Sequence, residues 1–155
     1  MTSTEFIEKN KDFVLAACKD TTLLPSVFMA QAILESNWGK SELAKNHNNY
    51  FGIKPGGAWK GRTATFPTQE YINGKWVVVE AAFRSYDKPE DSFFDRVNFL
   101  KQRSRYDRVF KANTPLSQAT ELYLAGYATD PSYPRKINQI INQHNLTALD
   151  GIKKK

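Results

Sequence analysis

The chain has 155 residues, 41% of them apolar and 25% charged, with a formal net charge of +6. That is the length and make-up of one compact domain with a single core, which excludes disorder for all but the ends. The basic balance draws polyanions, whether nucleic acid, anionic membrane or anionic cell wall, and by itself selects none of them.

Thr2-Ser3-Thr4-Glu5 carries the pattern of a capping box, and Phe6, Asn10, Phe13, Val14 and Ala17 follow it at helical spacing. Pro25, a good first-turn residue, opens a second helix that runs through Ser26 to Glu35, with Gly39 as a natural stop beyond it. Ser41 to Lys45 suits one short helical turn, and Asn46 to Gly61 reads as a loop that nonetheless carries Tyr50, Phe51 and Trp59. Asn73-Gly74 sits between two β-rich runs, Thr65 to Ile72 and Lys75 to Tyr86, which predicts a hairpin with a tight primed turn. Helices then start at Asp87-Lys88-Pro89-Glu90, carrying Phe93, Phe94, Val97 and Leu100, and at Thr114-Pro115, ending near Gly126. Asp130-Pro131 opens a last helix with Ile137, Ile140 and Ile141 on its apolar side, and Lys153-Lys154-Lys155 reads as a frayed tail. There is no internal repeat or interdomain linker. The expectation is one α+β domain over residues 1–155, about five helices with one hairpin.

The single cysteine, Cys18, falls in an apolar helical pattern and reads as a buried structural thiol. His47 and His144 are far apart in sequence, so no metal and no cofactor are expected. No apolar stretch is long enough to span a bilayer, and the N-terminus lacks the basic and apolar regions of a signal peptide. The expectation is a chain that stays in the cytoplasm, leaves by a route it does not encode, or is a domain of a longer secreted protein. A recognition helix, an aromatic strand signature and a clustered basic face are all missing, so no nucleic-acid partner is expected.

Two carboxyl groups stand out chemically. Cleaving a glycosidic bond needs a proton on the leaving oxygen and support for an oxocarbenium-like centre, and a pair of carboxyl groups commonly supplies both. Glu35 lies in the last turn of its helix, where the partial negative charge of the helix end disfavours a carboxylate. Ala32 and Trp38, three residues away on either side, are expected to give it apolar cover. On physics alone, a solvated helix-surface glutamate is the commoner fate of such a residue. If the turn is Asn73-Gly74, Glu70 faces Val77 and shares one hairpin face with Phe66, Thr68, Ile72, Val79 and Ala81. A carboxylate there is costly unless it reaches water or serves a purpose. Two readings stand: an exposed face, or a functional carboxylate turned towards a site. Glu80, on the other face, reads as a solvated charge. Among the aromatic residues, Tyr127 is set apart by following the helix-ending Gly126 into a loop, where functional groups concentrate.

Four blocks then match in order: Ala30-Gln31-Ala32-Ile33-Leu34-Glu35-Ser36-Asn37-Trp38-Gly39, Asn49-Tyr50-Phe51-Gly52-Ile53-Lys54, Phe83-Arg84-Ser85-Tyr86, and Ala125-Gly126-Tyr127-Ala128-Thr129-Asp130-Pro131-Ser132-Tyr133. Together they resemble the peptidoglycan N-acetylglucosaminidases of glycoside hydrolase family 73, from about Phe6 to Asp150. The resemblance implies a lysozyme-like fold, with a mainly helical body and a β-hairpin lobe flanking an active-site groove. It implies Glu35 as general acid, Glu70 in the hairpin as the second carboxylate and Tyr127 as an active-site tyrosine. It carries over Trp38, Lys54 and Tyr133 as groove residues. The partner it implies is the peptidoglycan glycan strand, cut at the bacterial cell wall after N-acetylglucosamine. The chain itself is expected to be a monomer without a membrane partner. A muramidase or lytic transglycosylase of the same fold, or a glycan-binding module without catalysis, are the alternatives.

Overall fold

A computed structural model describes residues 2–153; Lys154 and Lys155 of the expected tail lie outside them. Helix α1 (Ser3–Cys18) is capped by the Thr2 side chain, which accepts from the Glu5 amide at 3.1 Å. It buries Phe6, Asn10, Val14, Ala17 and Cys18. Helix α2 (Pro25–Ser36) is buried on nearly every side, as its almost unbroken apolar run requires. It packs against α1, α6 (Pro115–Leu124), α7 (Tyr133–Gln143) and α8 (Thr147–Lys153). Helix α4 (Pro89–Lys101) packs on α1. Its Phe93 ring sits 5.1 to 6.0 Å from those of Phe13, Phe28, Tyr50 and Phe51, at the centre of the core.

Strands β1 (Thr63–Ile72) and β2 (Lys75–Arg84) form a two-stranded antiparallel sheet. Its register pairs Glu70 with Val77, Thr68 with Val79 and Phe66 with Ala81, as the turn position predicts. Asn73 and Gly74 take positive φ of 51° and 78°, the primed-turn geometry that suits a two-residue hairpin. The base of the hairpin is sewn to the body by backbone bonds from Arg84 to Ile53 (2.9 Å) and from Tyr86 to His47 (2.8 Å). The α+β make-up is the one expected from the residues, and the hairpin lobe flanking a cleft beside a helical body is what the family resemblance implies.

Two boundaries differ from expectation. Helix α2 stops at Ser36, because Asn37 already turns left-handed and is followed by Trp38 and Gly39 at φ 59° and 77°. Helix α7 starts at Tyr133 and not at Asp130: the Asp130 side chain accepts from the Ser132 amide at 2.9 Å, closing a turn before the helix. The short elements α3 (Glu42–His47), a 3-10 turn Ser104–Tyr106, α5 (Asp107–Lys111) and α8 complete the body. Of these only α3 has a sequence signal, at Ser41 to Lys45. Among the described residues no helix is long and apolar enough to cross a membrane.

Candidate active site

A cleft of about 510 Å³ opens between the end of α2, the Phe51–Lys54 loop, the hairpin and the Gly126–Asp130 loop. Helix α2 delivers Glu35 to its floor, since the buried helix emerges from the core only at its last turn. The loop opposite is held by two polar staples. Asn49 accepts from the amides of Phe51 and Ile53 and donates to the carbonyls of Ile53 and Arg84, at 2.9 to 3.2 Å. Arg84 donates to the carbonyls of Lys54 and Pro55 and pairs with Asp95 at 2.8 Å. Two of the four sequence blocks therefore serve to fix this loop. Gly52 is needed where it stands: its φ is +64°, and a Cβ would lie 3.4 Å from a Glu35 carboxyl oxygen.

Burial pushes the Glu35 carboxyl up from 4.5 to about 7, and the nearby charge of Glu70 pushes the same way. A hydrogen bond from Tyr133 and the charge of Arg96 pull it partly back. Tyr133 is 2% exposed, and its hydroxyl accepts from Gln31 at 2.6 Å, which leaves its own proton for Glu35. Arg96 is 1% exposed and lies 4.4 Å over the Phe28 ring, with no acidic partner in an ion pair among the described residues.

Glu70 faces the cleft from the hairpin, its side chain 19% exposed. Lys54 pairs with one of its oxygens at 3.1 Å, and Thr129 donates to the other at 3.0 Å. The Glu70 side chain is therefore turned into the cleft, although Ile72 and Val77 on the same face are exposed. Tyr127 lines the cleft, and its hydroxyl donates to the Phe51 carbonyl at 3.3 Å. Burial, above all, raises its pKa.

Glu35, Glu70, Tyr127, Lys54 and Tyr133 thus come together. Trp38 does not, which corrects the expectation of a groove tryptophan that covers Glu35. The left-handed turn after α2 swings its ring away from the cleft, to 5.7 Å from Phe6 and 4.9 Å from His144. The Gly52 backbone lies close against the Glu35 carboxyl group instead. Gly52 and Thr129 lie inside matched blocks, where the pattern points to them. Arg96, Arg103 and Arg105 stand outside those blocks and have no comparable signal.

Thr129 ties the hairpin to the Gly126–Asp130 loop: its hydroxyl also accepts from the Tyr71 amide at 3.1 Å. An isolated hairpin is marginal in water, so this clamp holds the tip down. Thr129→Val should speed hydrogen exchange at the Tyr71 amide about tenfold and leave the global melting temperature nearly unchanged. Unchanged exchange at Tyr71 would mean that the hairpin holds its position without the clamp.

A family model described as mannosyl-glycoprotein endo-beta-N-acetylglucosaminidase, the glucosaminidase family, matches residues 11–146. A probable N-acetylmuramidase of Lactococcus lactis subsp. lactis is 43% identical over 157 residues, covering 96% of this chain and 35% of its own length. The chain spans about a third of the length of the Lactococcus relatives that it matches. A mutant peptidoglycan hydrolase from Sphingomonas sp. A1 superposes with a TM-score of 0.85 at 32% identity, over 95% of this chain and 97% of that one. The catalytic domain of the autolysin Auto from Listeria monocytogenes gives 0.78 at 36% identity, over 97% and 89%.

Proposed function

The chain belongs to the glucosaminidase family of glycoside hydrolases, family 73, and from that premise we propose that it hydrolyses the β-1,4 links of peptidoglycan glycan strands. The cut falls after N-acetylglucosamine. Residues 1–155 act as one catalytic domain, as a monomer, at the bacterial cell wall. The observation that carries this reading is a carboxyl group, Glu35, held near pKa 7 on a cleft floor under a second carboxylate, Glu70.

A general acid must still own its proton at the working pH. Glu35 passes that proton to the bridging oxygen as the bond from that oxygen to the sugar C1 breaks. Water then adds its hydroxyl to C1, and the proton it gives up returns to the Glu35 carboxylate, which is thereby ready for the next cycle. Glu70 stabilises the positive charge that develops on the sugar ring. Lys54 and Thr129 hold Glu70 in place, and Tyr133 sets the orientation of Glu35. Tyr127 shapes the floor beside the reacting sugar.

The Lactococcus relative's description as a probable N-acetylmuramidase favours a second reading, the cut after N-acetylmuramic acid. Borohydride reduction of a wall digest followed by mass spectrometry separates the two. Reduced N-acetylglucosamine at the fragment ends is the expected result. Reduced muramic acid makes the chain a muramidase, and an anhydro-muramic end makes it a lytic transglycosylase.

A further inference from the structure

The basic side chains of the cleft are Lys54, Arg103, Arg105 and Lys136. Two of them are neutralised locally: Lys54 by Glu70 at 3.1 Å and Lys136 by Asp130 at 2.5 Å. Arg103 and Arg105 are in no ion pair among the described residues. Both are nonetheless held in place. The Arg103 guanidinium lies 3.9 Å over the Phe99 ring and donates to the Phe99 carbonyl at 3.1 Å. The Arg105 guanidinium lies 5.0 Å over the Tyr106 ring. The two rings are 5.8 Å apart, and each is within 6.3 Å of the Tyr127 ring.

Holding like charges side by side without an acid is unfavourable, and an incoming anion relieves it. Burial, and then the charges of Arg84 and Arg105, press the Arg103 pKa downwards, against smaller opposing pulls from Tyr106 and from Asp95, which is itself paired with Arg84. A guanidinium laid on a ring is weakly hydrated, and its fork of donors is set for an oxyanion. The uncompensated charge of the cleft is therefore concentrated on the wall beside Tyr127.

We propose that Arg103 and Arg105 form a carboxylate-binding subsite on the cleft wall beside Tyr127, which takes a free carboxylate of the peptide stem carried by the glycan strand. The proposal rests on the peptidoglycan reading above. Stems hang from the muramic sugars along the strand, so free stem carboxylates, wherever not consumed by cross-linking or amidation, lie close to the bonds that are cut. The phosphate of other wall polymers is the rival oxyanion, and it occurs only where such a polymer is attached.

The test compares the unaltered chain with Arg103→Gln/Arg105→Gln on three preparations of sacculi: untreated, amidated at the stem carboxylates with carbodiimide and ammonia, and stripped of phosphate polymer with hydrofluoric acid. Binding by cosedimentation and the split of kcat from KM are both read. On untreated sacculi the double variant should bind about tenfold more weakly, with the loss in KM rather than kcat. On amidated sacculi the two proteins should bind alike, and phosphate stripping should leave the tenfold gap intact. Equal binding to untreated sacculi overturns the subsite, and so does a gap that persists after amidation. A gap abolished by phosphate stripping alone overturns the carboxylate assignment. Absence of turnover by the unaltered chain counts against the hydrolase reading only, because binding is read without turnover.

Discussion

Replacing Glu35 with Gln should lower the rate of wall lysis by at least about a hundredfold, the low end of what a general acid supplies, while the protein stays folded. The amide keeps the shape of the side chain on the cleft floor and removes the transferable proton. The unaltered side chain, held up to about 7 by burial and by Glu70, sets the alkaline limb of activity. Lysis should fall as pH rises through that value, as Glu35 gives up its proton. Stability follows the same group. Between pH 4.5, where the exposed side chain titrates, and about 7, the folded state keeps a proton that the unfolded chain has lost. Stability contributed by this group therefore declines as pH rises through that window, by at most about 3 kcal/mol. Glu35→Gln has no proton to lose and should flatten that slope. Turbidity clearance of purified walls and thermal unfolding across pH 4 to 9 read both effects together (roughly the range that brackets the two values). A folded Glu35→Gln protein with near-normal lysis would remove Glu35 from the chemistry.

Phe93→Ala is expected to cost about 3 to 5 kcal/mol of stability, the usual price of deleting a buried aromatic ring. Phe93 is fully buried, and its ring contacts those of Phe13, Phe28, Tyr50 and Phe51. For a domain of this length that corresponds to a fall in melting temperature on the order of 10 °C. The effect should reach the site as well. Phe51 stands directly before Gly52, so a cavity at position 93 loosens the loop that lies against Glu35. Urea unfolding gives the stability loss, and the pKa of Glu35, followed by NMR in the same variant, gives the loosening. Phe93→Leu should recover much of the stability by refilling the volume. A loss below about 1 kcal/mol in Phe93→Ala would mean that the core collapses around the gap and that Phe93 does not anchor the loop.

The sequence by itself determined the hairpin, its register and the helical body around it, because those features are local. Asn73-Gly74 imposes a two-residue turn, and a turn position sets every cross-strand pair, so Glu70 opposite Val77 is legible without coordinates. The apolar run of α2 likewise makes a buried helix, and Glu35 in its last turn is marked as unusual by position alone. The ordered blocks around Glu35, Asn49, Phe83 and Tyr127 carried the family. What only the tertiary structure decided is where side chains meet across the cleft. Trp38 reads as cover for Glu35 at helical spacing, yet three successive left-handed residues turn it towards His144. Whether Glu70 faces solvent or cleft depends on Lys54 and Thr129, which lie in separate segments of the chain. Arg96, Arg103 and Arg105 look like ordinary surface cations in the sequence. Folding buries the first under Phe28 and sets the other two on the cleft wall without acid partners. Periodicity and turn chemistry act over a few neighbouring residues, whereas burial and charge pairing are set by segments distant in the chain, and those are what tune the Glu35 proton.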